Sequence, residues 1–470
     1  MPGVFIAGET KTRPGVYTRY ENAAKQAATS ASNGIGAIIL QAQWGPLNQL
    51  VTLNSAAEVA ADFGSGLTAA AAKEMFNGGC SSVKAVRVGT GGAPSSVSLT
   101  DDAEAAAVTI TAKCVGARAF SVTVKDSLID KAIRECIVYS GSSEFERVTF
   151  PAGSTGSGEP AALVAAFANS KNFVAAKVAD GSKVLKAAAQ KAFTVGTNPT
   201  AAAEQYSAAL NILEAAKFNV LCVDTVDVAI HALVAAFIDR IYASGAHAMA
   251  CLSEPGSTAL VTRMADAAAF NDEKICYVLN SAYDSDGNLY DGYLMAARIG
   301  GMIAAVESST SLTHTVISDF TSLAEALTNT QVESALESGC IVLSVNSSGQ
   351  VWIESGINTL VSPAGNQDAG WKKIRRTKTR YELMDRIDAA TEPLIGKINN
   401  DANGRATFIA AAQGIINDMI SEKKLLDGGV ITEDPDNPAT NDSAWFVISV
   451  NDVDSVEKSY LTFQFKFSAE

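Results

Sequence analysis

A chain of 470 residues exceeds what one compact core usually serves, so two to four domains are expected. Apolar residues at 47% against 18% charged disfavour disorder, and a net charge of -14 disfavours direct nucleic-acid binding, which needs a dense Lys/Arg face. No apolar run reaches bilayer-crossing length and Met1-Pro2-Gly3 starts no signal peptide, so no membrane insertion and retention in the producing cytosol are expected.

Residues 1–32 show no helical or strand period; Arg13-Pro14-Gly15-Val16-Tyr17 suggests an extended arm, because Pro14 fixes its backbone and biases its predecessor towards extended conformations. Ile35–Leu40 reads as a core strand and Trp44-Gly45-Pro46 as a turn. Ser55 with Glu58 forms a capping-box pattern that opens a helix to Phe63; a second helix spans about Leu67 to Phe76, and Val83–Val88 is the next strand.

After Gly89–Pro94 the composition changes. From Val97 to Phe150 short segments rich in Val, Thr and Ile recur at β-sandwich spacing, and residues 160–192 add a helix and two strands, which reads as an inserted β domain. From Ala201 strands and helices alternate: helix 201–216, strand 219–223, helix 228–243, strand 249–252, helix 257–269 and strand 275–280. Those strands are continuous apolar runs, as expected when helices cover both faces of a parallel sheet. The basic stretch Trp371–Arg380 follows, read as a solvated or intersubunit face; then come helices from Tyr381 to about Leu394 and from about Asn403 to Leu426, stopped by Gly428-Gly429. The chain closes on strands near Trp445 and at Tyr460–Phe467. Strict alternation there puts Leu461, Phe463, Phe465 and Phe467 on one face, and such a face must be covered by this chain or by a neighbour.

The expected division is a 1–32 arm, a 33–90 first part of an α/β body, a 91–195 inserted β-sandwich, the 196–360 remainder of the body, a 361–445 α+β C-terminal domain and a 446–470 terminal arm. Catalytic chemistry finds little support: the three histidines, His231, His247 and His314, accompany no G-x-S-x-G elbow. Gly89-Thr90-Gly91-Gly92 lacks the Lys-Ser/Thr of a phosphate loop. Asp284-Ser285-Asp286-Gly287-Asn288 has Leu289 where a calcium loop needs Gly, so a hairpin turn is expected. No catalytic, metal or cofactor site is expected. Seven cysteines without a C-x-x-C pair argue against zinc; Cys222, Cys276 and Cys340 read as small core hydrophobes, while an intersubunit disulfide through Cys80, Cys114 or Cys136 stays open.

Taken together, Arg13–Tyr17, Trp44-Gly45-Pro46, Gly396-Lys397-Ile398-Asn399-Asn400, Gly404-Arg405 and Asp452-Val453-Asp454-Ser455-Val456-Glu457-Lys458, in this order and spacing, resemble contractile phage tail sheath proteins, including those of R-type bacteriocins and defective prophage tails. The resemblance implies a subtilisin-like body without catalytic activity, assembled as stacked hexameric rings around an inner tail tube protein, with baseplate and tail terminator proteins as further partners. It places the product in a virion tail or tail-like particle assembled in the bacterial cytoplasm. It implies that the terminal arms, Arg13–Tyr17 and Leu461–Phe467, cross to neighbouring subunits, and that a C-terminal helix faces the tube, with Arg405, Asp418, Glu422, Lys423 and Lys424 as contacts. Two other readings stand beside it: an α/β hydrolase, on fold class alone, and a non-contractile shell protein.

Overall fold

The computed structural model describes residues 3–4, 17–18, 33–153, 158–178 and 184–466. Its centre is a seven-stranded sheet in the order Cys340–Ile341, Ile275–Val278, Met249–Ser253, Val220–Val223, Ile35–Leu40, Ser82–Arg87, Leu50–Leu53. All neighbouring pairs are parallel except the last. Every residue of the three central runs Val220–Val223, Met249–Ser253 and Ile275–Val278 is buried, because helices cover both faces. Ile35–Leu40 pairs with Val220–Val223, so strands from before and after residues 94–192 share one sheet.

One face of the sheet carries Cys222, Cys251 and Cys276 beneath the helix Tyr293–Ala305. The approach is close: a Cβ on Gly300 would lie 2.4 Å from the Cys222 sulfur, and one on Gly301 would lie 2.3 Å from the Met75 carbonyl of the helix Ala70–Asn77. Small residues here let backbones touch. All seven cysteines are free thiols, and Cys80 and Cys136 are buried with Cys222, Cys251, Cys276 and Cys340, leaving only Cys114 half-buried; an intersubunit disulfide through Cys80 or Cys136 is not compatible with that burial.

Residues 94–192 fold as two antiparallel sheets around a core of Val108, Ile110, Phe120, Val122, Val138 and Phe173. Trp44, reaching over from beyond the Ile35–Leu40 strand, is 3% exposed and meets Phe120 edge-on at 5.0 Å. Arg87 joins the two units: it donates to the carbonyls of Ala42, Gly45 and Val115 at 3.0, 2.7 and 2.9 Å. Burial without a carboxylate partner pushes its guanidinium down to about 10.

The Asp284–Asn288 segment is the hairpin turn expected: Asp284 accepts from the Asp286 and Asn288 amides, and Gly287 takes φ +79°. Ser55 differs from expectation, making no side-chain cap; Glu58 still reaches back, to the Asn54 amide at 2.8 Å. Among the described residues no helix is long and apolar enough to cross a membrane, and no cluster of three His, Cys, Asp or Glu is placed to hold a metal ion.

Candidate assembly surface

The C-terminal region is built on two long helices, Ile374–Thr391 and Ala402–Ser421, and a hairpin in which Val430–Glu433 pairs antiparallel with Phe446–Ser449. Their shared core is small: Leu383, Ile387, Ala412, Ile416, Met419, Leu425 and Ile431. The first helix begins at Ile374, not near Tyr381 as expected from the sequence, so the basic stretch is helical and partly buried. Its cations are not a solvated face; all but Arg375 are occupied from within the chain.

Lys378, 8% exposed, donates to the carbonyls of Ile303, Ala304 and Val306 and so caps the C-terminal end of the helix Tyr293–Ala305. Burial pushes its ammonium down to about 8. Arg376 forks onto Asp452 with donors at 2.8 and 2.6 Å, Arg380 stands 3.5 Å from the same carboxylate, and the Arg380 guanidinium lies 4.0 Å over the Trp371 ring. Lys373 pairs with Glu457, which also accepts from Ser311 and Thr313 at 2.9 Å each. The conspicuous Asp452–Lys458 motif is thus a cis partner of the conspicuous basic motif, across about eighty residues of chain.

The expected tube-facing residues separate on inspection. Lys424 is 6% exposed and bonds Glu382 at 2.7 Å and Glu422 at 2.8 Å; Glu422 in turn takes a forked pair from Arg386 at 2.9 and 3.0 Å. Glu382 also accepts from Ser308 and pairs with Arg386. Lys424 is therefore an internal group joining the end of one helix to the other, which corrects its expected role as a surface contact; Glu422 is held in the same network. Arg405 pairs with Glu433 at 2.9 Å, tying the second helix to the hairpin. Lys423 is exposed and Asp418 half-buried. The outward face of that helix presents Asn403, Ala406, Thr407, Ala410, Gly414, Asn417 and Ser421, all uncharged.

Gly396–Asn400 shapes the connector between the two helices. Asn400 donates to the carbonyls of Asn441 and Ser443, and Gly404 admits the Asn399 carbonyl where a Cβ would stand 1.9 Å away. Beside it lies a groove of 440 Å³ lined by Ile395, Ile398, Phe408, Trp445 and Phe446, with Arg405 and Asp442 at its polar side. Ile395 is 68% exposed.

Among the described residues, 458–466 form no strand with the chain's own body. The expected terminal strand, Tyr460–Phe467, has no β-partner among its described residues, and the Phe446–Ser449 strand pairs with Val430–Glu433 instead. Leu461, Phe463 and Phe465 are 75%, 75% and 84% exposed. Phe467 lies outside the described residues, as do Arg13, Pro14, Gly15 and Val16; Tyr17 belongs to a two-residue strand, Tyr17–Thr18, that runs parallel to Gly3–Val4.

Each histidine is otherwise engaged. The buried His231 faces the Thr225 carbonyl at 2.9 Å, His314 stacks on Trp352, and His247 pairs with Asp385 at 2.7 Å, a link from the body to the first C-terminal helix that spacing could not reveal.

Residues 199–359 match the family model described as the phage tail sheath protein central domain. No curated protein sequence matches the chain. Among solved structures, a sheath tail protein from Desulfitobacterium hafniense superposes with a TM-score of 0.70 at 17% identity, covering 93% of this chain and 100% of its own. One from Listeria innocua gives 0.68 at 16%, covering 90% and 96%. The sheath of an extracellular contractile injection system, in its contracted state, gives 0.57 at 9%, covering 97% and 98%. The resemblance to tail sheath proteins read from the sequence is borne out: residues 199–359 match the phage tail sheath central domain, and the described chain has the fold of sheath tail proteins.

Proposed function

We infer that this protein is the structural subunit of a contractile sheath: stacked hexameric rings around an inner tube, joined by terminal strands, whose contraction drives the tube through a cell envelope. One observation carries the reading. The alternating segment 460–466 is apolar, highly exposed and unpaired, and the same chain carries a two-stranded hairpin with Val430, Val447 and Ile448 all 39–45% exposed. A free strand and an open sheet edge on one molecule satisfy each other when copies associate by strand addition. The subtilisin-like label for the body carries no activity here, and the sheath family's structural role suits the engagement of all three histidines. Energy for contraction is stored in assembly, with the extended state metastable.

Purified protein is expected to polymerise into hollow tubes visible by electron microscopy. A chain lacking residues 459–470 should fold with an unchanged melting temperature but fail to polymerise. Normal tubes from that truncation would remove the arm from the mechanism, and a monodisperse wild-type monomer at high concentration would remove the sheath reading.

A further inference from the structure

The segment Asp452–Glu457 lies against the first C-terminal helix in an unusual way. Its attachment is charged: Asp452 to Arg376 and Arg380, Glu457 to Lys373 with Ser311 and Thr313. Two backbone hydrogen bonds, Leu426 N–H to the Asn451 carbonyl and Val453 N–H to the Lys424 carbonyl, bridge Leu425 to Asp452. No apolar side chain anchors the outer part, since Val456 is 89% exposed. The seat also holds more donors than its occupant uses. Arg375 is 7% exposed, with Nε and Nη1 unpartnered, and Arg380 Nη1 is likewise unpartnered. Asp454, the nearby acid that could serve Arg375, is exposed and accepts only from the Ser455 amide among the bonds formed. A buried guanidinium left short of acceptors favours an anionic group moving in.

The geometry points to a releasable seat: Lys373, Arg375, Arg376 and Arg380, with the hydroxyls of Ser311 and Thr313, form a docking surface for an acidic extended segment, and its occupant is this chain's own Asp452–Glu457. Docking sets how much of the terminal arm is free. With the segment seated, the described arm runs free from Lys458 to Lys466, nine residues or about 30 Å at strand rise. Release of Asp452–Glu457 returns six residues and about 20 Å of reach, while the Phe446–Ser449 strand stays paired at home. The seat therefore meters arm length. Only the use of that length between copies rests on the sheath reading; docking itself is a property of the single chain.

The test is mobility of a spin label at Val456→Cys, an exposed position inside the seated segment, on the full-length, unassembled chain, with the unsubstituted protein as labelling blank. The label is expected to be slow at low salt and to gain some mobility at high salt, the gain being modest because the pairs are 11–23% exposed and only partly screened. D452N/E457Q should be mobile already at low salt, R376Q should match it in direction, and the charge exchange R376D/D452R should restore the slow label. Equal mobility in all variants, or a label that stays slow in D452N/E457Q, overturns the seat. Failure of the protein to polymerise would count against the sheath reading alone, because this measurement needs no assembly.

Discussion

The central sheet and the C-terminal region of one chain are held by opposite means. The sheet buries three adjacent strands without a charged residue among them, and its helices approach until only glycine fits. Each large aliphatic side chain buried there is worth about 1.5–3 kcal/mol, and none of that depends on salt or pH. The C-terminal region has a core of seven buried apolar residues and relies on arginine and lysine forks to carboxylates. Most of these side chains are no more than 16% exposed, and such pairs are costly to break singly. One part is held by packing with no charge in its central strands; the other by ion pairs whose worth shifts with salt and pH.

Breaking the sheet side should give the larger effect. Gly301→Val forces a side chain against the Met75 carbonyl backbone, which cannot retreat without moving the helix Ala70–Asn77. A loss of about 4 kcal/mol is expected, read as a fall in thermal midpoint or in soluble yield. A midpoint within a degree of wild type would mean the two helices are not locked together.

Next in size is Lys424→Ala, which leaves Glu382 buried with one cation fewer and should cost about 3 kcal/mol in the isolated chain. Lys423→Ala, one residue away and exposed, should stay within about 0.5 kcal/mol. Equal midpoints for the two variants would return Lys424 to the surface role expected from sequence.

That pair of lysines also shows what was legible. Apolar runs marked the central strands because a strand covered on both faces advertises itself locally, and Cys222, Cys276 and Cys340 lie in the core as read. The helix Ile374–Thr391 was read as starting seven residues late, since Lys372–Arg380 looks like a solvated strip until its acceptors are known. Those acceptors, Asp452 and Glu457, stand 76 and 84 residues away, beyond any periodicity. Alternation marked Tyr460–Phe467 as a strand, yet residues 460–466 form none within this chain, because a pattern names a buried face without naming what buries it.

The smallest expected effect separates the regions by acid. The forked bonds from Arg386, with help from Lys424, pull the Glu422 carboxyl down to about 2. Asp452 also lies below the ordinary carboxylate value: burial raises it, but the Arg376 bond and the Arg380 charge outweigh that. For a depressed carboxylate the stabilisation is complete above the unfolded value, about 4, and drains away as pH falls towards the folded value. Glu422 is more than a third exposed, so after solvent screening the loss between about pH 4.5 and 2 should be of order 1 kcal/mol. The sheet, with no such group in its central strands, should keep its amide protection across that window while the C-terminal helices lose theirs first. Glu422→Gln should flatten the acid limb for those helices alone, measured by hydrogen exchange at pH 3 against pH 6. Exchange that rises together in both regions would mean the chain unfolds as one unit, and that the division between an apolar body and a charge-held end has no energetic counterpart.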